Sequence, residues 1–302
     1  MNNRKNKKKI GENYTFIDLF AGIGGFHQAF HNIGAECVFS SEWDENARKT
    51  YELNFKKISP NLFEKNKFIG DINSIKNIKK EIPDFDILTG GFPCQPFSHA
   101  GHRKGFLDTR GTLFFNIVEI LRQKKPKAFF IENVRGLLNH DDGNTFSVIK
   151  KTIEEELNYS FYPEIIRASD FGLPQHRPRL FMVGFKNKKI EFEFPDPVGL
   201  KMNMSDIWGG KCSRDVGFTL RCGGRGSGLN DRRNWDTYLV DGKERRLSSA
   251  EGKKMMGFPK GFKFPVSETQ AMRQLGNAVA VPAIQAVAQA IIESLNSYDK
   301  RK

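Results

Sequence analysis

At 302 residues, 38% hydrophobic and 12% aromatic with 27 Phe, the chain carries enough apolar side chains for a large α/β core plus a smaller appendage, which excludes a mainly disordered chain. Four cysteines (Cys37, Cys94, Cys212, Cys222) are scattered with no C-x-x-C pair, which argues against a disulfide framework and against a zinc site, so no metal is expected. The formal charge is +13; residues 4–9 hold five of the positive charges, and the +8 that remains points to a polyanionic partner such as nucleic acid.

The N-terminal residues 1–12 read as a basic, mobile tail without the apolar run of a secretory signal. No stretch approaches the roughly 18 consecutive apolar residues of a membrane helix, and a cytoplasmic protein is the expectation. From residue 15 to about 185, short β-branched or aromatic runs alternate with helical patterns. Strands are predicted at 15–20, 36–41, 67–69, 85–90, 128–132, 161–167 and 180–185. Between them Phe26, Ala29, Phe30 and Ile33 recur at helical spacing, with Gly34 placed as the stop. Leu113, Phe114, Ile117, Ile120 and Leu121 repeat the pattern, as do Phe146, Ile149, Ile153 and Leu157. This rhythm predicts an α/β fold, a mainly parallel sheet with helices on both faces, over residues 13–185. Residues 186–265, rich in Gly, Arg, Asp and Asn, predict a smaller domain of strands and loops. Helical character returns over 266–302, where Ile284, Val287, Ala288, Ile291 and Leu295 share one face that packs back on the main domain.

The first strand runs through D-L-F-A-G-I-G-G-F (residues 18–26) into a helix. Gly22, Gly24 and Gly25 allow a tight turn and close approach of a ligand. The spacing is not G-x-G-x-x-G, and Phe20 and Ile23 make the loop apolar, better matched to an adenosine and a thioether than to a pyrophosphate. Glu42 ends the second strand, where an acid can hold ribose hydroxyls; Trp43 can stack on adenine, and Asp71, ending the third strand, can accept from its amino group. Alone, each has a bland reading as a turn, a cap or a solvated acid. Together they occupy successive strand ends of one sheet, the edge at which open parallel sheets bind ligands.

The fourth strand ends in G-G-F-P-C-Q-P-F-S (residues 90–98), with Cys94 between Pro93 and Pro96. Cys37 fits a small core residue, whereas Cys94 sits in turn sequence at the binding edge, where a positive neighbour would favour a nucleophilic thiolate. Glu132 ends the fifth strand, and partial burial there raises a carboxyl pKa and favours proton donation. Q-H-R-P-R (residues 175–179) offers Arg177 and Arg179, either surface residues flanking a strand or groups that orient Glu132, contact a base and stabilise a thiolate.

These blocks, in this order, resemble the DNA cytosine-5 methyltransferases of bacterial restriction–modification systems over nearly the whole chain. The remaining blocks are E-W-D at 42–44, G-D-I at 70–72, R-G-T-L-F-F at 110–115, E-N-V at 132–134, R-R-L-S-S-A-E at 245–251, M-G-F-P at 256–259 and Q-L-G-N-A-V at 274–279. Pro178 and Ala278 depart from the family's commoner residues, and neither removes a reacting group. The resemblance implies a Rossmann-like class I fold that uses S-adenosylmethionine and no metal, with residues 186–265 as a target-recognition domain. It implies cofactor contacts from Asp18, Phe20, Ala21, Gly22, Ile23, Gly24, Gly25, Glu42, Trp43, Asp71, Ile72, Pro93, Leu113, Asn277 and Val279. Cys94 would add to ring carbon 6 of cytosine while Glu132 serves ring nitrogen 3, with Arg177 and Arg179 in support. Double-stranded DNA would be the substrate, its target base flipped out at a cost of a few kcal/mol. Phe97–Gly111, with Ser98, His102, Arg103 and Lys104, would close over it, and the 217–235 segment, with Arg221, Arg225, Arg232 and Arg233, would read the major groove, some of these arginines holding Asp231 or Asp236 instead. A monomer is expected, with a cognate endonuclease acting separately on the same site. The competing readings are an RNA cytosine methyltransferase of the same fold, whose characteristic Cys-Phe-Thr motif is absent, and a DNA-binding module without catalysis, against which Cys94 and Glu132 stand. A nicotinamide dehydrogenase lacks its fingerprint here.

Overall fold

The computed structural model describes residues 9–92 and 113–301. Expectations on Pro93, Cys94, Ser98, His102, Arg103 and Lys104, and on the first eight residues, fall outside the described residues. Residues 9–12 belong to the folded body, since Gly11 N–H donates to Ile33 O at 2.9 Å.

Seven strands form the main sheet: β1 (Thr15–Leu19), β2 (Glu36–Ser41), β3 (Phe68–Ile69), β4 (Ile87–Gly91), β5 (Ala128–Val134), β6 (Tyr162–Arg167) and β8 (Pro178–Phe185); β7 (Phe171–Gly172) lies between the last two in the chain and pairs with β9 (Gly199–Leu200) in a separate ribbon. The order is β3-β2-β1-β4-β5-β8-β6. The pairs from β3 to β5 are parallel, and β8 runs antiparallel to both β5 and β6. Side chains alternate across each strand, so Phe16 enters one apolar core while Ile17 and Leu19 enter another on the opposite face. That double burial is why the strands read as continuous apolar runs.

Helix α1 (Gly25–Asn32) starts at Gly24 (φ 85°) and stops at Gly34 (φ 98°), the residue expected to end it. Asp44 caps α2 (Glu45–Phe55) by accepting from Ala47 N–H at 2.8 Å. Buried His27 on α1 bonds Tyr51 Oη through Nδ1 (2.6 Å) and Ser59 Oγ through Nε2 (2.9 Å), which locks α1 to α2 and the loop after it. The Leu113–Lys124 and Asn144–Lys151 helices cover the other face.

The segment after residue 185 holds a β10 (Thr237–Val240)/β11 (Lys243–Arg246) hairpin, but also two helical pieces that a reading as strands and loops missed. Met204–Trp208 starts at an Asn203/Asp206 capping box and Ser249–Met255 at a Ser248/Glu251 box, each a local sequence signal. Its Trp208, Trp235 and Tyr238 join the same apolar cluster as α1, so the core is continuous from one segment to the other. In the C-terminal helix (Val281–Lys300), Ile284, Val287, Ala288, Ile291 and Leu295 are buried, and it packs on α1. The helical stretch Glu268–Lys300 contains an 18-residue window of mean hydropathy 1.6, long and apolar enough to cross a membrane by composition; 67% of that window is buried within the protein, as a core helix is.

Candidate active site

The parallel arrangement brings the carboxyl ends of β3, β2, β1, β4 and β5 to one edge, and connections leave in opposite directions on either side of the β1/β4 boundary. That topology opens a crevice for ligands. The acids expected there fall in spatial order: Asp71 after β3, Glu42 after β2, Asp18 on β1 and Glu132 on β5.

The β1–α1 turn is tied to β2. Ala21 N–H donates to Ser41 O (3.0 Å), and Gly22 N–H donates to Glu42 Oε2 (2.7 Å). Asp44 N–H donates to the other Glu42 oxygen at 2.8 Å. Burial raises the Glu42 pKa, with relief from the backbone donors of Asp44 and Gly22. Phe20 takes the left-handed region at φ 55°, a conformation uncommon outside glycine.

The three glycines do different jobs. Gly22, at φ 56°, has open space where a Cβ would stand. A Cβ on Gly24 would strike the Phe55 ring, and one on Gly25 would strike Val279. Ile23, Ile72 and Val279 are buried around the turn. Trp43 is 81% exposed, a large apolar surface beside the edge. Asp71 is exposed and caps its own turn, accepting from Asn73 N–H and Nδ2 at 2.9 Å. Leu113 is half-buried and Asn277 exposed.

Asp18 is fully buried, with no well-formed hydrogen bond to either carboxylate oxygen among the described residues; the His27 backbone N–H and the Thr89 hydroxyl approach it and only partly offset its burial. Ser41, opposite Leu19 on β2, has an unpaired buried hydroxyl, and that of Ser40, opposite Asp18, has only a weak contact with Tyr51. Burial first, and then the Glu42 charge, push the Asp18 pKa well up. Buried polar groups are normally well paired, so this cluster of poorly satisfied groups, with the open side of Gly22 and the bare indole of Trp43, fits a polar-and-aromatic ligand at this edge.

On the other side of the boundary, β5 extends past Glu132 to Val134, because antiparallel β8 keeps pairing that far. The strand expected to begin at residue 180 starts at Pro178, so Arg179 lies within it and not before it. This register sets Arg179 Nε 2.9 Å from Glu132 Oε1. Glu132 is buried; desolvation raises its pKa, opposed by Arg179 and then Arg177. Its second oxygen lies where a Cβ on Gly91, the last residue of β4, would come within 3.2 Å. Asn133, which sequence reasoning left without a role, donates from Nδ2 to Phe92 O at 2.9 Å. Phe92 is the last described residue before Pro93 and Cys94 in the chain.

Arg177, just before β8 at φ 30°, makes no ion pair with Glu132 among the described residues, although its charge lowers the pKa of that carboxyl; its buried guanidinium donates to the carbonyls of Leu220, Gly276 and Ala278. Gln175, another unassigned residue, donates to Met255 O (2.6 Å). Neither contact was legible, since each joins segments about eighty residues or more apart in the chain.

In the basic segment, Arg225 pairs with buried Asp236 (3.3 Å) and donates to Leu247 O (2.5 Å), and Arg233 pairs with Asp231 (2.7 Å). Arg221 and Arg232 are exposed, with no ion pair among the described residues. Cys37 is buried, donating to Phe39 O, and no cluster of metal-ligating side chains occurs among the described residues.

Comparison with known proteins places this geometry. The family model of C-5 cytosine-specific DNA methylases matches residues 14–220 and 213–293. The chain is 44% identical to the type II methyltransferase M.SsoII of Shigella sonnei, covering 94% of this chain and 81% of that one. It is 39% identical to the type II methyltransferase M.HhaI of Haemophilus parahaemolyticus, covering 97% and 98%. In fold it resembles the crystal structure of S. pombe Dnmt2 methyltransferase, with TM-score 0.71 at 21% identity over 94% of this chain and 99% of that one. The fold is thus that of a class I methyltransferase. The chain belongs to the C-5 cytosine-specific DNA methylase family, and it acts on DNA as a cytosine-5 methyltransferase that takes its methyl group from a bound donor.

Proposed function

We propose that the chain binds S-adenosylmethionine at the β1–β2–β3 edge and methylates carbon 5 of a cytosine flipped from duplex DNA, with Cys94 as nucleophile and Glu132 as acid. The observation that carries this is the buried, proton-favouring Glu132 carboxylate set against Gly91, with Asn133 holding the carbonyl of Phe92 before Pro93-Cys94. Gly22, Glu42, Trp43, Asp71 and the buried Asp18 would hold the cofactor, through the backbone at Gly22, ribose hydroxyls at Glu42 and the adenine at Trp43 and Asp71. When bound, it supplies an electrophilic methyl group.

The protein's own work is to make carbon 5 reactive. Cys94 Sγ bonds to carbon 6 while Glu132 shares its proton with ring nitrogen 3, which moves electron density to carbon 5. Arg179 holds the Glu132 carboxyl in place. Once carbon 5 has taken the methyl group, the donor leaving as a neutral thioether, the carbon 5 proton passes to solvent, the Sγ–C6 bond breaks as the ring double bond re-forms, and the nitrogen 3 proton returns to Glu132, so that Cys94 leaves as the thiolate. Residues 97–111 contact the DNA, and residues 186–265 recognise the target, with Arg221 and Arg232 as the arginines left for DNA; residues 13–185 and 266–302 form the catalytic body. The resemblance to type II methyltransferases supports a cytoplasmic monomer that protects host DNA from a separately acting endonuclease.

Expression in a methylation-free host, followed by bisulfite sequencing of its DNA, tests the activity and yields the site. The parent protein should mark one short sequence; Cys94→Ala should leave it unmarked while the circular dichroism spectrum stays unchanged. Marking by Cys94→Ala at a rate near the parent's would remove the nucleophile from the reading.

A further inference from the structure

Arg177 is buried to 2% exposure and lies between three parts of the chain. Its backbone N–H donates to Thr219 Oγ1 (3.1 Å), Nη1 donates to Leu220 O (3.1 Å), and Nη2 donates to Gly276 O (2.8 Å) and to Ala278 O. Leu220 immediately precedes Arg221, the first exposed arginine of the basic segment. Gly276 and Ala278 flank Asn277 and lead into Val279, which closes on Gly25 in the β1–α1 turn. A second observation is independent of the arginine: a Cβ on Gly276 would overlap the backbone of Arg221 and Cys222, so the two segments touch directly. A third is that Leu220 N–H donates to Gln175 Oε1 (3.4 Å), which holds the same segment from the other side.

A guanidinium presents its donors in one rigid plane. Arg177 Nε already has no acceptor among the described residues, so displacing either the 219–221 or the 276–279 segment leaves the buried cation with still fewer, at a cost folded proteins avoid. The guanidinium thus bridges two segments that also pack on each other. We propose that Arg177 is a positioning residue that couples the methyl-donor edge to the DNA-reading segment, so that each ligand favours the arrangement the other needs. This rests on the proposed assignment of those two surfaces.

The test uses the full chain, S-adenosylhomocysteine as the cofactor probe, and a fluorescent duplex carrying the site mapped by bisulfite sequencing. In the wild type, saturating S-adenosylhomocysteine should tighten duplex binding about tenfold, within the usual range for coupled sites. Arg177→Lys keeps the charge and loses the fork; in it the factor should fall to about 1–2, while S-adenosylhomocysteine alone still binds within about threefold of wild type. A merely structural role would weaken both ligands and leave their ratio untouched. Uncoupled binding in the wild type, or full coupling in Arg177→Lys, overturns the proposal. If either ligand fails to bind the wild type by itself, the underlying assignment falls instead. Should Arg177→Lys not fold, amide exchange in the wild type decides: S-adenosylhomocysteine alone should slow exchange at residues 219–222 by about fivefold or more, and unchanged exchange there with the probe bound refutes the coupling.

Discussion

The Glu132 carboxyl is held by two opposed influences, burial that favours the neutral acid and an arginine at 2.9 Å that favours the anion. Burial is the larger, so the proton is retained to higher pH than in an exposed glutamate. A reaction that needs this protonated acid is supported below the raised value and lost as pH climbs through it. Glu132→Gln keeps the shape but cannot titrate or donate a full proton; turnover should fall about 10²–10⁴-fold, the usual contribution of general acid–base catalysis. The alkaline limb of kcat/KM expected for the parent should also vanish. Both are read from initial rates of tritiated methyl transfer across pH, and a variant keeping that limb would move the acid elsewhere. The acid itself was legible from E-N-V at the end of an apolar run. The partner was half legible: Q-H-R-P-R gave two arginines, and only the strand register, which sequence does not display, sends Arg179 to Glu132 and Arg177 inward to Leu220, Gly276 and Ala278.

The β1–α1 turn shows the same limit one level up. D-L-F-A-G-I-G-G-F announces a strand, a tight turn and a helix because glycine tolerates φ above zero, and all three form. Which glycine faces a ligand depends on what packs behind it, and α2 and the last helix arrive from elsewhere in the sequence. Gly24 lies under Phe55 at φ 85°, so Gly24→Ala combines a left-handed backbone with a clash and should cost about 2–4 kcal/mol of stability. Gly22 faces open space at φ 56°, so Gly22→Ala should cost only about 1–2 kcal/mol and act mainly on S-adenosylhomocysteine affinity. Thermal denaturation and calorimetric titration separate the two. Equal losses of stability, or unchanged affinity in Gly22→Ala, would contradict the division of labour among the glycines. The small segment was harder to foresee for a related reason: its helices are short, begin at capping boxes, and depend on Trp208 and Met255 reaching a core shared with the main sheet.

For the whole molecule the question is where a net charge of +13 meets DNA. Counting arginines in 217–235 overstates the reading surface, because Arg225 and Arg233 are already committed to Asp236 and Asp231. Arg221 and Arg232 remain exposed, and a polyanion neutralised by such residues releases counterions on binding. Arg232→Ala should weaken duplex binding and, if it meets a phosphate, lower the slope of log affinity against log salt by about 1, with the melting temperature unchanged. Arg225→Ala should behave the other way. Among the described residues it leaves the fully buried Asp236 with only Arg246, at 3.6 Å, for an ion pair. Stripping one partner from a buried pair costs about 3–5 kcal/mol, and the remaining Arg246 and the partial exposure of Arg225 reduce this to about 1–3 kcal/mol. The signature is therefore a lower melting temperature with the salt slope of the folded protein preserved. Fluorescence anisotropy over a salt series, run beside thermal melts, reads both quantities. A salt slope reduced by Arg225→Ala and untouched by Arg232→Ala would exchange their roles, and would mean that the Arg225–Asp236 pair opens when the protein meets DNA.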